Sequence, residues 1–247
     1  MYKNLLLLLM IIFISISGCY AKRTAEFYIE LGDNLRYEGN YKASIKYYNK
    51  AIDIDDKLSD AYYGLAQSYL YSNQVDLAIE NYKKLLKLKD DTYYYTYLAE
   101  AYEKNGQYDE AIKTYKKLFT REKKDPYLGI YRYKIGKIYE KQEKFNEAIE
   151  CYKESIKEDD KTKPYYIYYL DLGIVYSKIN EKELAIEYLN KSININKNCY
   201  EGYYNLGLIL EKENNLKQAK NNYEKALKIL PEYKDAKERL LNINKLL

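Results

Sequence analysis

The side chains that most often carry catalysis or bind metals are scarce in this chain. Its 247 residues include no histidine and three cysteines. Imidazole acid–base chemistry and metal sites built from His and Cys ligands are therefore excluded. Glu100 and Glu103 are three residues apart, which on a helix would place both carboxylates on one face, where a pair could act in hydrolysis. No nucleophile arrangement, metal set or glycine-rich phosphate loop accompanies them, so the sequence indicates a protein that is not an enzyme and needs no cofactor.

Tyrosine is the residue type that stands out, at 35 of 247 residues. Its ring packs while its hydroxyl stays hydrated, which suits helix interfaces and binding surfaces. Codon usage in an AT-rich genome would also raise Tyr together with Lys, Asn and Ile. The net charge is +4 with Lys and Glu interleaved, and no basic block is present that could follow a phosphate backbone. We therefore expect no nucleic-acid partner.

The most specific short motif lies near the N-terminus. Lys3 precedes an apolar run from Leu5 to Ile14, which is too short to span a bilayer of ~30 Å but fits the hydrophobic region of a signal peptide. Ile16-Ser17-Gly18-Cys19 follows and resembles the bacterial lipobox. The resemblance implies that the Cys19 thiol receives a diacylglycerol, that cleavage occurs before it, and that a further acyl chain such as palmitate is often added. The alternatives are an uncleaved anchor and an ordinary signal peptide with a chance cysteine.

The lipobox predicts how the N-terminal end is organised. Residues 1–18 would be a lipoprotein signal peptide and residues 19–24 a lipidated tether, in which the five residues after Cys19 reach at most ~18 Å. Two or three acyl chains hold a soluble domain stably on a membrane, so we expect a lipid-anchored protein of the bacterial cell envelope that faces the periplasm or the cell exterior. Such a location permits disulfides, but Cys151 and Cys199 lie in different repeats and no spacing forces them together.

A 25-residue pattern recurs six times from residue 28 onward. Its copies begin at Tyr28, Tyr62, Tyr95, Arg132, Tyr169 and Tyr203, between 33 and 37 residues apart. Each copy has two stretches with apolar residues at helical spacing, separated by a short polar break. Small residues occupy one position of each first stretch (Gly32, Ala66, Ala99, Gly136, Gly173 and Gly207) and one of each second stretch (Ser44, Ala78, Ala111, Ala148, Ala185 and Ala219). The pattern predicts stacked helical hairpins whose backbones approach closely.

This layout resembles the tetratricopeptide repeat (TPR), most closely in the sixth copy, which has Tyr203, Leu206, Gly207, Ala219, Tyr223, Ala226 and Pro231. The resemblance implies an all-α fold, a right-handed superhelical solenoid of six TPR helical hairpins in residues 25–232. The expected repeat bounds are about 25–58, 59–91, 92–128, 129–165, 166–199 and 200–232. Residues 233–247 would form a C-terminal capping helix that covers the apolar face of the last repeat.

In the TPR family, ligands usually lie in a concave groove lined by the first helix of each hairpin. Carried over by repeat position, the protein-binding candidates are Ile29, Tyr37, Tyr63, Leu70, Tyr71, Glu100, Lys104, Tyr133, Lys137, Leu170, Ile174, Tyr204 and Leu208. They predict an aromatic and apolar patch at each end of the groove and a charged belt in its middle, although several could instead pack on neighbouring helices. Members that clamp a partner's C-terminal carboxylate carry Lys or Asn where this chain has Ile29, Asp33 and Gln67, which argues against that subtype.

The sequence thus predicts a membrane-anchored, noncatalytic scaffold that binds protein or peptide segments in its groove and organises a cell-envelope complex. We expect no small-molecule substrate. A self-associating structural lipoprotein is the alternative, and an envelope hydrolase using Glu100 and Glu103 is less favoured.

Overall fold

The computed structural model describes residue 20 and residues 22–121, 127–159 and 165–247, and these residues form helices joined by short turns. Helical residues 22–37 are α1. The helices that follow are α2 (Tyr41–Ile54), α3 (Ser59–Tyr71), α4 (Val75–Leu88), α5 (Thr92–Lys104), α6 (Tyr108–Arg121), α7 (Leu128–Lys141), α8 (Phe145–Asp159), α9 (Tyr166–Lys178), α10 (Lys182–Ile195), α11 (Tyr200–Lys212), α12 (Leu216–Ile229) and α13 (Lys234–Asn244). The all-α prediction is confirmed. The predicted signal peptide and Cys19 lie outside the described residues.

The odd-numbered helices from α1 to α11 end in the same backbone turn. The central residue of each predicted break has a left-handed conformation, namely Gly39, Asn73, Gly106, Glu143, Asn180 and Asn214, with φ between 57° and 78°. The next backbone N–H then donates to the carbonyl five residues earlier, as from Asn40 to Leu35 at 2.8 Å and from Glu181 to Tyr176 at 2.9 Å. This turn satisfies the last carbonyls of one helix and allows the next helix to start within two residues.

The small residues lie where the two helices of a hairpin meet. Those of the second helices, from Ser44 to Ala219, are all fully buried. A Cβ atom added at Gly207 would lie 2.5 Å from Cε1 of Tyr223, so the glycine makes room for a ring of the partner helix. Close backbone approach therefore depends on these positions, as the repeat pattern predicted.

The chain divides into two compact units, Met1–Arg121 and Glu122–Leu247. In unit 1, α2 to α6 pack in sequence order, and Tyr48 of α2 packs against Gly32 of α1. In unit 2, α7 to α13 pack in sequence order and α9 also contacts α11. Residues 22–24, which belong to the predicted tether, are helical and form the start of α1, in which Ala25 is fully buried. Among the described residues, no helix combines the length and the apolarity needed to cross a bilayer.

Candidate protein-binding surfaces

Polar residues on four first helices are held in place by buried tyrosines of the second helices. In each case the phenol and the polar group are 2.6 to 2.8 Å apart. The pairs are Asp33 with Tyr48, Gln67 with Tyr82, Glu140 with Tyr152, and Glu211 with Tyr223. All four phenols are fully buried, so they need these partners to satisfy their hydroxyls. These four polar residues of the first helices therefore also satisfy hydroxyl groups buried in the core.

In unit 1, side chains from α3 and α5 form a tyrosine cluster, which consists of Tyr63, Tyr93, Tyr94 and Tyr97. The ring centroids of Tyr63 lie 5.5 to 6.0 Å from those of the other three, and Tyr93 and Tyr97 meet edge to face at 4.8 Å. Tyr94 is buried, whereas the side chain of Tyr93 is 53% exposed. The cluster combines a rigid, partly buried base with an aromatic surface open to solvent.

The hydroxyls of the tyrosine cluster are linked to each other. The Tyr97 hydroxyl donates to the Tyr93 oxygen at 2.7 Å, and the Tyr63 hydroxyl lies 3.3 Å from the same oxygen. Hydrogen bonds from Tyr63 and Tyr97 lower the pKa of the Tyr93 phenol, while burial raises the pKa of Tyr63 and of Tyr97. The Tyr93 oxygen thus accepts from Tyr97, and the three hydroxyls are linked at the exposed side of the cluster.

The other unit 1 candidates lie mostly at the ends of the first helices. Tyr37 and Tyr71 are 79% and 58% exposed, and Tyr71 stacks on Tyr41 with centroids 5.6 Å apart. The Lys104 ammonium donates to the carbonyl of Leu70 at 2.8 Å, so α5 supplies a cap for the end of α3. Ile29 packs at the edge of the core. Glu100 is half-buried, and its negative charge is close enough to the Tyr97 phenol to help raise the pKa of that group.

In unit 2, α7 and α9 share a charged cluster of Lys137, Glu140, Asp171 and Lys178. The Lys137 ammonium lies 2.9 Å from Glu140 and 3.3 Å from Asp171, and the Lys178 ammonium lies 2.8 Å from Glu140. The Tyr133 hydroxyl donates to Asp171 at 2.7 Å. The predicted candidates Tyr133 and Lys137 are therefore brought together, but in a network that joins two helices.

Burial and charge act in opposite directions on the two carboxylates. Burial raises the pKa of the Asp171 carboxyl, although Lys137 and Tyr133 favour its charged form. At Glu140, burial also acts to raise the pKa, but hydrogen bonds from Lys178, Lys137 and Tyr152 outweigh it and the pKa lies below its ordinary value. Glu140 is thus a stabilised carboxylate, and the network stabilises the packing of α7 against α9.

The remaining unit 2 candidates are partly or wholly covered. Leu170 is 3% exposed and belongs to the core, so it cannot line a groove as expected; its side chain is directed among the packed helices. Ile174 packs at the edge of the same core. Tyr204 and Leu208 pack around Ala219, Tyr223 and Ile243, and the last of these is on α13. The predicted C-terminal aromatic patch is therefore shielded by the chain's own capping helix.

Four residues of these clusters are missing from the groove positions predicted from the sequence, namely Tyr93, Tyr94, Tyr97 and Asp171. Tyr93 and Tyr97 fall outside the repeat positions that the family resemblance supplied. The run Tyr93-Tyr94-Tyr95 is the feature of the sequence that indicates an aromatic cluster there. Asp171 is the one charged residue between Tyr165 and Tyr176, and a carboxylate in such an apolar stretch indicates a buried polar partner.

Comparison with known sequences finds the tetratricopeptide repeat in three family models. They match residues 92–157, residues 25–58 and 200–233, and residues 59–92 and 166–199. No curated protein sequence matches the chain.

Comparison with solved structures finds helical repeat proteins at low sequence identity. Pseudomonas aeruginosa pilF has a TM-score of 0.65 and 16% identity, covering 92% of this chain and 99% of that chain. YrrB, a TPR protein with an unusual peptide-binding site, has a TM-score of 0.55 and 19% identity, covering 71% of this chain and 88% of that one. The Cut9–Hcn1 hetero-tetramer of APC/C matches with a TM-score of 0.60 and 18% identity; the match covers 89% of this chain but only 42% of that chain. These likenesses confirm the helical solenoid class.

Proposed function

The chain belongs to the tetratricopeptide repeat family, and on that premise we propose that it is a noncatalytic scaffold that binds protein or peptide segments. The tyrosine cluster of unit 1 is the proposed contact surface. Tyr93 is half exposed on a base of packed rings, so a partner would bury aromatic area without first having to order a flexible side chain.

The exposed aromatic residues of unit 1 support an extended partner. Tyr37, Tyr71 and Tyr93 lie at the ends of α1 and α3 and at the start of α5. Tyrosine side chains can contact both the apolar side chains and the backbone carbonyls of a peptide. In unit 2, by contrast, most predicted candidates are engaged in the charged cluster or covered by α13.

The proposal also includes where in the cell the protein acts. The apolar run Leu5–Ile14 and the lipobox ending at Cys19 support a lipid anchor on a bacterial envelope membrane. A scaffold anchored there would organise a complex of envelope proteins close to the membrane surface.

A photo-reactive residue placed at position 93 tests the contact surface in living cells. Tyr165 is the matched control, because its side chain is also 53% exposed but belongs to unit 2. We expect a discrete crosslinked partner from position 93 and none from position 165. Titration of the purified partner should then show affinity reduced about tenfold or more by Tyr93→Ala and unchanged by Tyr165→Ala, with the same helical circular dichroism. Equal crosslinking at both positions, or full affinity in Tyr93→Ala, would contradict the proposed surface.

A further inference from the structure

Unit 2 contains a pocket that shares no residue with the protein-binding candidates. Its volume is about 590 Å³, and it is lined by Lys197, Asn198, Tyr203, Lys225, Lys228 and Ile229. These residues come from the turn before α11, from α11 itself and from α12. We call it the lysine pocket. Its size falls within the range of pockets that take small molecules.

The lining includes three lysines and no carboxylate, and the ammonium of one of them, Lys197, donates to Asn194 at 2.9 Å. Lys225 and Lys228 are three residues apart and share a face of α12, a helix with four lysines and one glutamate. The ion pairs found within the described part of unit 2 use other lysines, such as Lys182 with Glu213 and Lys191 with Glu187. Three like charges around one concavity repel each other, and an anion in the pocket would relieve that repulsion.

The apolar part of the lining restricts the ligand further. The Lys225 ammonium lies 5.7 Å from the ring centroid of Tyr203, so the ring holds the charge at the pocket while leaving its N–H donors usable. Tyr203 and Ile229 provide an apolar wall next to the lysines. A ligand that fits has a compact group of high negative charge joined to a less polar portion.

We propose that the lysine pocket binds a phosphate-bearing small molecule, with the phosphate between Lys225 and Lys228 and the rest of the ligand against Tyr203. A phosphate monoester carries about two negative charges near neutral pH, whereas a carboxylate or a phosphodiester headgroup carries one, so a monoester matches the lysines best and we expect a diester headgroup to bind more weakly. The source of the phosphate is either a soluble metabolite or a lipid headgroup. This site goes beyond the scaffold function, because it lies outside the tyrosine cluster.

Calorimetric titration of the full chain in a nonionic detergent tests the proposal with two soluble probes. Inorganic pyrophosphate represents a free phosphate ligand, and glycerophosphoglycerol represents the headgroup of an anionic phospholipid. The pocket variant is Lys225→Gln/Lys228→Gln. The matched control is Lys217→Gln/Lys220→Gln, which removes the same charge from α12 outside the pocket lining. Salt at about 0.1 M limits long-range attraction to ~10 Å.

We expect one-to-one binding of at least one probe, weakened about tenfold or more in the pocket variant and changed less than about threefold in the control. Tighter binding of pyrophosphate identifies a soluble phosphate ligand, and tighter binding of glycerophosphoglycerol identifies a lipid headgroup. The proposal is overturned if neither probe binds, or if the two double variants weaken binding equally, because a general effect of helix charge would then explain it.

Discussion

At the residue scale, Glu140 shows how one side chain joins several parts of unit 2. Its carboxylate accepts from Lys137 on its own helix, from Lys178 on α9, and from the buried hydroxyl of Tyr152 on α8. Its side chain is only 13% exposed, so these contacts are weakly screened by solvent. Burial acts to raise the pKa of Glu140, but the contacts with Lys178, Lys137 and Tyr152 together outweigh it and lower that pKa.

Replacing this carboxylate should make stability less dependent on pH. Because the pKa of Glu140 is lower in the folded state, its contribution is present above the unfolded value of ~4.3 and is lost as pH falls through the folded value. Glu140→Gln should reduce the free energy of unfolding by about 1–3 kcal/mol near neutral pH, and the difference from wild type should shrink in acid. Urea unfolding across this pH range measures it.

Glu150→Gln is the matched control for this prediction. Glu150 is 72% exposed and forms an exposed ion pair with Lys153 at 3.5 Å, so its replacement should change stability by less than about 1 kcal/mol. An equal loss in both variants, or a loss at Glu140 that does not vary with pH, would disprove the role of the network.

At the element scale, the turn between the two helices of a hairpin uses one backbone geometry with different residues. Glycine occupies the left-handed position in two turns and asparagine in three, but Glu143 adopts φ 57° between α7 and α8. A residue with a Cβ and a long side chain is strained there, and only glycine adopts this conformation without penalty.

Exchanging residues between two of these turns should therefore shift stability in opposite directions. Glu143→Gly should raise the free energy of unfolding by about 0.5–1 kcal/mol, and Gly106→Glu should lower it by a similar amount. No atom lies within 4 Å of the position of a Cβ at Gly106, so backbone conformation alone is tested. Chemical denaturation of both variants is the measurement, and a destabilised Glu143→Gly would show that the Glu143 side chain makes a contribution larger than the strain.

At the scale of the whole molecule, the N-terminal end would determine how close the first repeat lies to a membrane if the proposed lipid anchor is present. The helix begins by residue 22, within the predicted tether, and Ala25 is already fully buried. Helical residues rise only about 1.5 Å each, so a lipid on Cys19 would hold α1 nearer to the bilayer than an extended tether would.

Lipid attachment can be tested directly at Cys19. Cells fed a labelled fatty acid should incorporate the label into the wild-type chain and into Cys151→Ser, which removes a thiol elsewhere. Cys19→Ser should carry no label and should keep its N-terminal segment, because processing follows lipidation in this class of protein. Label that persists in Cys19→Ser would contradict the anchor.

The sequence by itself determined the helices, the turns and the core of each hairpin. Small residues, tyrosines and turn residues recur at spacings of 12 to 16 residues within one repeat, as from Gly207 to Tyr223, and contacts this local follow from helical periodicity. Only the tertiary structure decided which side chains of neighbouring hairpins meet. Tyr63 joins Tyr93, and Lys137 joins Asp171, because stacking sets the rotation of one hairpin on the next, and that rotation depends on all the packed side chains together. For the same reason, the cover of α13 over Tyr204 and the convergence of three segments on the lysine pocket could not be read from any single repeat.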